Sequence, residues 1–175
     1  MSRAVFFDRD GVLNELVNRD GGFFSPLTLE DFHLFPDTRD VINEIRSKGY
    51  LCITVSNQPD VARGYLKRSE LNRMTQILSS TLHLDDVFYC LHDDSDDCDC
   101  RKPKPGLLFQ AQKKWDIDLC ESIMIGDTWK DVEAARNASV RMVLFEAKYN
   151  LHLEAENKIT DLFQIGKFLI NDLDY

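Results

Sequence analysis

Short apolar runs alternate with amphipathic stretches along the chain, and that alternation predicts its elements. Residues 4–8 (AVFFD) form an apolar run closed by a carboxylate, the pattern of a buried strand. Asp37 stands where a helix cap belongs, Val41, Ile42 and Ile45 share the face that follows, and Gly49 supplies a stop. Residues 51–56 (LCITVS) are apolar and β-branched, a second strand. Ser69 opens a helix with Leu71, Met74, Ile77 and Leu78 in one stripe, and residues 87–90 (VFYC) make a third strand. A polar, cysteine-rich loop leads to a helix over 105–115. A fourth strand over 122–127, a helix over 130–138, a fifth strand over 140–145 and a closing helix over 160–171 complete the pattern.

Alternating strands and helices imply an α/β fold, a Rossmann-like parallel sheet of five strands with helices on both faces. Ligands bind such sheets beyond the carboxyl ends of the strands. Asp8, Ser56, Cys90 and Asp127 all fall there. There is no internal repeat, low-complexity tract or linker, so residues 1–175 read as one domain.

Composition narrows the partners. An apolar fraction of 43% and a charged fraction of 29% suit a globular protein, and a formal charge of −9 argues against a nucleic-acid partner. A local basic cluster can still hold a small anion. The first twenty residues carry charges inside any would-be apolar core, and the apolar runs fall short of the roughly 20 residues a membrane span needs. A cytoplasmic monomer with no membrane partner is expected.

Five cysteines, an odd number, argue against a disulfide framework. Three of them sit beside a histidine as C-x-H-x5-C-x-C: Cys90, His92, Cys98 and Cys100. Three thiolates and an imidazole match a closed, structural Zn²⁺ site. A redox pair would use C-x-x-C spacing. A calcium loop built on Asp93, Asp94, Asp96 and Asp97 would need a glycine and a terminal glutamate that are missing, so these acids read as a solvated face.

Asp8-Arg9-Asp10-Gly11 closes the first strand, and Asp127 and Asp131 follow the fourth. Clustered carboxylates suit Mg²⁺, which prefers oxygen ligands and screens their repulsion. Loop acids and helix caps are the plainer reading, and Asp131 alone fits a surface position. An apolar strand ending in D-x-D-G has little structural need of both acids.

DRDGVLN (8–14), VSN (55–57), RKPKPG (101–106) and GDTWKD (126–131) resemble the four ordered motifs of the haloacid dehalogenase superfamily. The resemblance implies a Mg²⁺-dependent phosphomonoesterase. In it Asp8 attacks phosphorus, and Asp10 protonates the leaving alcohol and then activates water. Ser56 binds a phosphoryl oxygen and Lys102 neutralises nucleophile and phosphate. Asp8, Asp127 and the carbonyl of Asp10 hold Mg²⁺, and Asp131 supports the site from behind. An acid role near neutrality requires Asp10 to have a raised pKa, with neighbouring negative charge and burial as the expected cause.

The thiol loop is similar to the superfamily branch that holds heptose-bisphosphate and histidinol-phosphate phosphatases. A sugar phosphate is the first expectation for substrate and histidinol phosphate the alternative, with Asn57, Arg63 and Arg101 as substrate contacts. Three departures stand out: Ser56 where threonine is usual, Pro59-Asp60 for a Ser-Gly pair, and Thr128 where a basic residue faces substrate. The intervals after Asp8 and Ser56 leave room for a flap (12–26) but no cap domain of ordinary size. Phe23, Phe24 and Trp129 are candidates for pocket lining as much as for packing. Two readings from other classes remain. One is a receiver-like phosphoacceptor, set against by a central strand, LCITVS, without aspartate; the other is a non-catalytic, zinc-stabilised binding module.

Overall fold

Successive side chains of β1 (Arg3–Phe7) feed two different cores, and the fold is built around that division. Val5 and Phe7 join one apolar cluster, Ala4 and Phe6 the other. The computed structural model describes residues 1–169. After β1 come a hairpin of β2 (Val17–Arg19) and β3 (Gly22–Phe24), then α1 (Thr38–Ser47), β4 (Tyr50–Asn57) and α2 (Arg68–Leu82). There follow β5 (Asp86–Cys90), α3 (Gly106–Trp115), β6 (Ile123–Gly126), α4 (Trp129–Asn137), β7 (Arg141–Phe145) and β8 (Lys158–Ile159).

The main sheet runs β5-β4-β1-β6-β7-β8, and every neighbouring pair in it is parallel. Helices α1 and α2 cover one face, burying Val41, Ile42, Ile45, Leu71, Met74 and Leu78. Helices α3 and α4 cover the other with Leu107, Leu108, Ala111, Ala134 and Ala135. Truncating one of the larger of these side chains to alanine costs about 2–5 kcal/mol, a large share of the roughly 5–15 kcal/mol that holds a domain. β1 sits between β4 and β6, so the chain leaves it in both directions across the sheet. The crevice this opens at the strands' carboxyl ends receives Asp8, Ser56 and Asp127.

The predicted elements match with small shifts at their ends, and three differences have physical causes. The sheet has six strands, not five. β8 is two residues long, too short for any periodic signal, and exists because Leu144 and Phe145 offer it a ladder. The closing helix is a 3₁₀ helix (Leu162–Phe168) rather than an α-helix, and residues 170–171 of the expected span lie outside the described residues. Leu162, Ile165 and Phe168 recur every third position, which aligns them on a three-residue turn, and Gly166 weakens the α alternative. Ile77, expected on the core stripe of α2, lies on its exposed flank, while Leu82 completes the stripe. Asp37 occupies the predicted cap position of α1 without a side-chain hydrogen bond, and Gly49, at φ +81°, ends the helix.

The flap is the β2–β3 hairpin. Its turn, Asp20-Gly21, has φ values of 51° and 81°, the left-handed pair that a two-residue hairpin of matching twist requires. Among the described residues no cap domain interrupts the fold, and no helix is long and apolar enough to cross a membrane.

Candidate active site

Asp8 leaves β1 with its amide bonded to the Ile125 carbonyl of β6 at 2.9 Å, which sets its carboxylate over the sheet's central crevice. The Lys102 ammonium lies 3.0 Å from Asp8 Oδ1, 2.6 Å from Asp131 Oδ1 and 2.9 Å from the Val55 carbonyl. Its three protons are therefore all engaged. Carboxylate oxygens of Asp8, Asp127 and Asp131 come within 4.8 Å of one another. Burial pushes Asp8 up to about 6; Lys102 opposes the rise, and the charges of Asp131 and Asp10 add to it. Burial likewise raises Asp127 well above the usual carboxylate range, reinforced by Asp8 and Asp131. One ammonium does not balance three acids.

Asp10 is in a different state from the raised one expected of it. Arg9, fully buried, donates from Nε and Nη2 to its two oxygens, each at 2.9 Å, and Gln58 and Asn14 donate at 2.8 and 3.0 Å. Burial pushes its pKa up, but the Arg9 charge and these bonds outweigh it and hold the carboxyl below its ordinary value. The Arg9 guanidinium in turn lies over the rings of Phe32 and Tyr89. D-R-D places Arg9 beside Asp10 in the chain, but only the fold turns it inward.

Asp131 is buried, not the surface acid that its place in a first helical turn allows. Its Oδ2 caps α4 by accepting from the Thr128 amide and hydroxyl at 2.9 and 2.6 Å, while Oδ1 takes Lys102. Both oxygens are used, so it braces the lysine. A Cβ at position 126 would lie 2.3 Å from Asp131 Cβ, which makes Gly126 a requirement of that packing.

Asp127 is the reverse case. Its Oδ2 accepts the Tyr149 hydroxyl at 2.5 Å, but its buried Oδ1 has no hydrogen-bond partner among the described residues. A buried carboxylate oxygen without a donor is the position a cation fills. Gly11, at φ +87°, makes the approach possible, since a Cβ there would fall 2.3 Å from Asp127 Oδ2 and 2.7 Å from Tyr149 Oη. The donor set of Asp8 and Asp127 fits a hard divalent cation. Tyr149 escaped the sequence reading because it lies in an irregular segment 22 residues beyond its partner.

Cys90, His92, Cys98 and Cys100 converge as expected, with neighbouring Sγ and Nδ1 atoms 3.3–3.6 Å apart. A tetrahedron with metal–sulfur bonds of about 2.3 Å and a metal–nitrogen bond of about 2.0 Å has edges of roughly 3.5–3.8 Å, so the cluster is compatible with zinc. Burial opposes ionisation of Cys98, yet hydrogen bonds, the Cys100 sulfur first, bring it down to about 7. The acids of this loop lie at the surface as expected, Asp94, Asp96 and Asp97 exposed and Asp93 half-buried, but two of them are also paired with arginines. Asp93 accepts Arg63 Nε at 2.9 Å, and Asp94 accepts Arg101 Nε at 2.7 Å and Arg63 Nη2 at 3.2 Å. Asn57 clasps the Lys102 backbone at both ends of its amide, at 2.9 and 3.0 Å, with one amide hydrogen left for the cavity.

These groups line a cavity of about 390 Å³. Its lining brings together Asp8, Asp10, Ser56, Lys102 and Asp127, with Arg63, Arg101 and Asn57, and with Phe23, Phe24 and Tyr149. Trp129 is half-exposed and is not part of the lining, but Lys130 is. A larger groove of about 490 Å³ beside α4 and β7 contains no comparable cluster, so chemistry rather than size marks the site.

A carboxylate beside a fixed ammonium, with a second carboxylate whose buried oxygen lacks a partner among the described residues, stands at the end of a parallel sheet, and the chain belongs to the haloacid dehalogenase-like hydrolases, whose family model matches residues 22–139. It is a phosphatase of that family. The chain is 36% identical to the D-glycero-β-D-manno-heptose-1,7-bisphosphate 7-phosphatase of Haemophilus influenzae, over 81% of this chain and 80% of that one. It is 33% identical to the D-glycero-α-D-manno-heptose-1,7-bisphosphate 7-phosphatase of Photorhabdus laumondii, over 95% and 96%. Its fold matches the crystal structure of a D,D-heptose 1,7-bisphosphate phosphatase from B. bronchiseptica complexed with magnesium and phosphate. That match has a TM-score of 0.82 and 24% identity, over 95% of this chain and 97% of that one. Membership of this family leaves no place for a receiver-like phosphoacceptor.

Asp8 and Asp127 bind protons more tightly in this fold than in an unfolded chain, so these two groups add stability to the metal-free protein as pH falls through about 6 and withdraw it as pH rises. A divalent cation needs both groups ionised, so the stabilisation it brings grows with pH. Thermal melts with and without MgCl₂ should show a rise in Tm of several degrees at about pH 7.5 and little at about pH 5. A metal-induced rise that is equal at both pH values would contradict this electrostatic picture.

Proposed function

We propose that the protein removes the 7-phosphate of a D-glycero-D-manno-heptose 1,7-bisphosphate through a phosphoaspartyl intermediate on Asp8. The observation that carries the reading is the meeting of Asp8, Lys102 and the unpartnered oxygen of Asp127 in the lining of one cavity. Relatives named for this activity at 33–36% identity support the substrate class.

Asp8 attacks phosphorus as the bond to the leaving oxygen breaks, and Asp10 gives that oxygen its proton. In the substrate-free site Asp10 is ionised; the phosphoryl anion arriving beside it adds the negative charge that raises its proton affinity. Asp10 then takes a proton from water, the resulting hydroxide attacks phosphorus, and the Asp8–phosphorus bond breaks to release inorganic phosphate. Ser56 Oγ accepts from Gln58 Nε2 at 3.1 Å, which leaves its own proton for a phosphoryl oxygen. Lys102 spreads positive charge between nucleophile and phosphate. When held by Asp8, Asp127 and the Asp10 carbonyl, Mg²⁺ supplies the charge that lets an anion approach a dianion.

The second phosphate has a matching wall. Arg63 and Arg101 are neutralised in part by Asp93 and Asp94, whereas Lys130 also lines the cavity, lies over the Trp129 ring and makes no ion pair among the described residues. It stands two residues past Thr128, where the basic residue of the branch is missing, and meets the distal anionic group in its place. Zn²⁺ in the Cys90, His92, Cys98 and Cys100 cluster organises the loop that carries Arg101 and Lys102 and does no chemistry. Three such ligands require reduced thiols, which suits a cytoplasmic enzyme.

Three outcomes follow. Phosphate release from both anomers of the heptose bisphosphate should exceed that from histidinol phosphate by at least about tenfold, and Asp8→Asn should lose about 10³-fold or more. Preference for histidinol phosphate would overturn the substrate assignment. Lys130→Met should raise KM for the bisphosphate roughly tenfold while sparing a monophosphate such as p-nitrophenyl phosphate. Equal effects on the two would remove Lys130 from recognition. Cys98→Ser should lower bound zinc, measured by mass spectrometry, together with Tm and turnover; unchanged Tm and turnover on zinc loss would refute the organising role.

A further inference from the structure

Tyr149 belongs to none of the motifs that brought the other site residues to notice, yet it makes a short contact in the centre of the site. Its hydroxyl donates to Asp127 Oδ2 at 2.5 Å. The adjoining residue fixes where that hydroxyl sits. Asn150, buried, donates from Nδ2 to the Asp127 carbonyl at 2.7 Å and to the Phe145 carbonyl at 2.9 Å, and its Oδ1 accepts the Ala147 amide at 2.7 Å. Residues 145–150 are thus pinned to the end of β6 and β7, with Tyr149 brought against the acid whose other oxygen is buried and has no partner among the described residues. Gly11 leaves just the space for this meeting, since a Cβ there would lie 2.7 Å from Tyr149 Oη.

On its far side the Tyr149 ring packs against Phe23 of the flap, with centroids 5.0 Å apart and planes tilted by 38°. Phe23 is half-exposed on β3 and lines the cavity. A continuous line of contact runs from the flap, through one aromatic pair, to a carboxylate facing the cation position. A hydroxyl that occupies Oδ2 stops the carboxylate from turning and leaves Oδ1 as the free donor. Hydrogen bonds of this outer kind, made to a metal-binding carboxylate, typically account for about 10–100-fold in metal affinity.

We propose that Tyr149 is a positioning residue that holds Asp127 in its cation-binding orientation and, through Phe23, ties that orientation to the flap. The inference rests on the divalent-ion reading of Asp8 and Asp127 given above. It concerns affinity for the ion, so it is read without turnover.

The test is a titration of zinc-loaded, substrate-free protein with MnCl₂, followed by electron paramagnetic resonance of free Mn²⁺, on the parent, Tyr149→Phe and Phe23→Ala. Tyr149→Phe keeps the ring against Phe23 and removes only the hydroxyl. It should weaken Mn²⁺ binding about 10-fold or more and raise the Mg²⁺ concentration for half-maximal rate in parallel, with kcat at saturating Mg²⁺ largely restored. Phe23→Ala, on the exposed hairpin, should weaken Mn²⁺ binding roughly threefold or more with the hydroxyl intact. A fall in Tm and kcat at unchanged Mn²⁺ affinity would make Tyr149 a packing residue and overturn the proposal. Unchanged affinity in Phe23→Ala alone would overturn the link to the flap. A parent that binds no Mn²⁺ would instead sink the divalent-ion reading itself.

Discussion

Two buried carboxylates and a third that is mostly buried share one buried ammonium at the end of the sheet, and the surrounding structure answers that imbalance. Asp8 comes from β1, Asp127 from the end of β6, Asp131 from the first turn of α4, and Lys102 from the loop after β5. Bringing such charges out of water is costly unless each is paired. Lys102 satisfies Asp8 and Asp131; Asp127 keeps an oxygen with no donor and a pKa held high by burial and by its neighbours. Three acids against one ammonium leave the site two positive charges short, a deficit of the size a divalent cation makes up. Under the proposed function that added charge is what would let a phosphoryl anion meet a carboxylate.

The loop that delivers Lys102 has few means of folding on its own. Between Leu91 and the lysine it offers acids, His92, two cysteines and no large apolar residue. Thiolate geometry at one end, and Asp93 and Asp94 holding Arg63 and Arg101 along its length, take the place of a core. Asn57 closes the arrangement by fastening the Lys102 backbone to the end of β4. The Cys/His cluster, the two arginines and the Lys102 ammonium are therefore one mechanical unit, and the same loop sets part of the cavity lining and the counter-charge of Asp8.

Asp8 and Asp10 stand one residue apart yet are held in opposite states. Asp8 meets burial and acid neighbours and is raised; Asp10 meets Arg9, Gln58 and Asn14 and is lowered. Under the proposed function Asp8 is the group that a cation would ionise, while Asp10 is ionised until substrate charge arrives. This division between two carboxylates is how environment assigns different roles to identical groups.

Much of this was legible in the chain because the motifs are local. Apolar runs ending in acids marked β1 and β6, the Cys-x-His and Cys-x-Cys spacings marked the metal cluster, and RKP marked the lysine, since each places its ligands within a few residues and strand ends do the rest. What the chain hid depends on distance and burial. The inward turn of Arg9 that reverses the expected pKa of Asp10, the burial of Asp131, the pairing of Asp93 and Asp94 with arginines, the short strand β8 and the bond from Tyr149 to Asp127 all arise where remote segments meet. Residue identity and spacing determined which chemistry is available; the dielectric and partners around each group, which exist only once the sheet has closed, decided the charge each one carries.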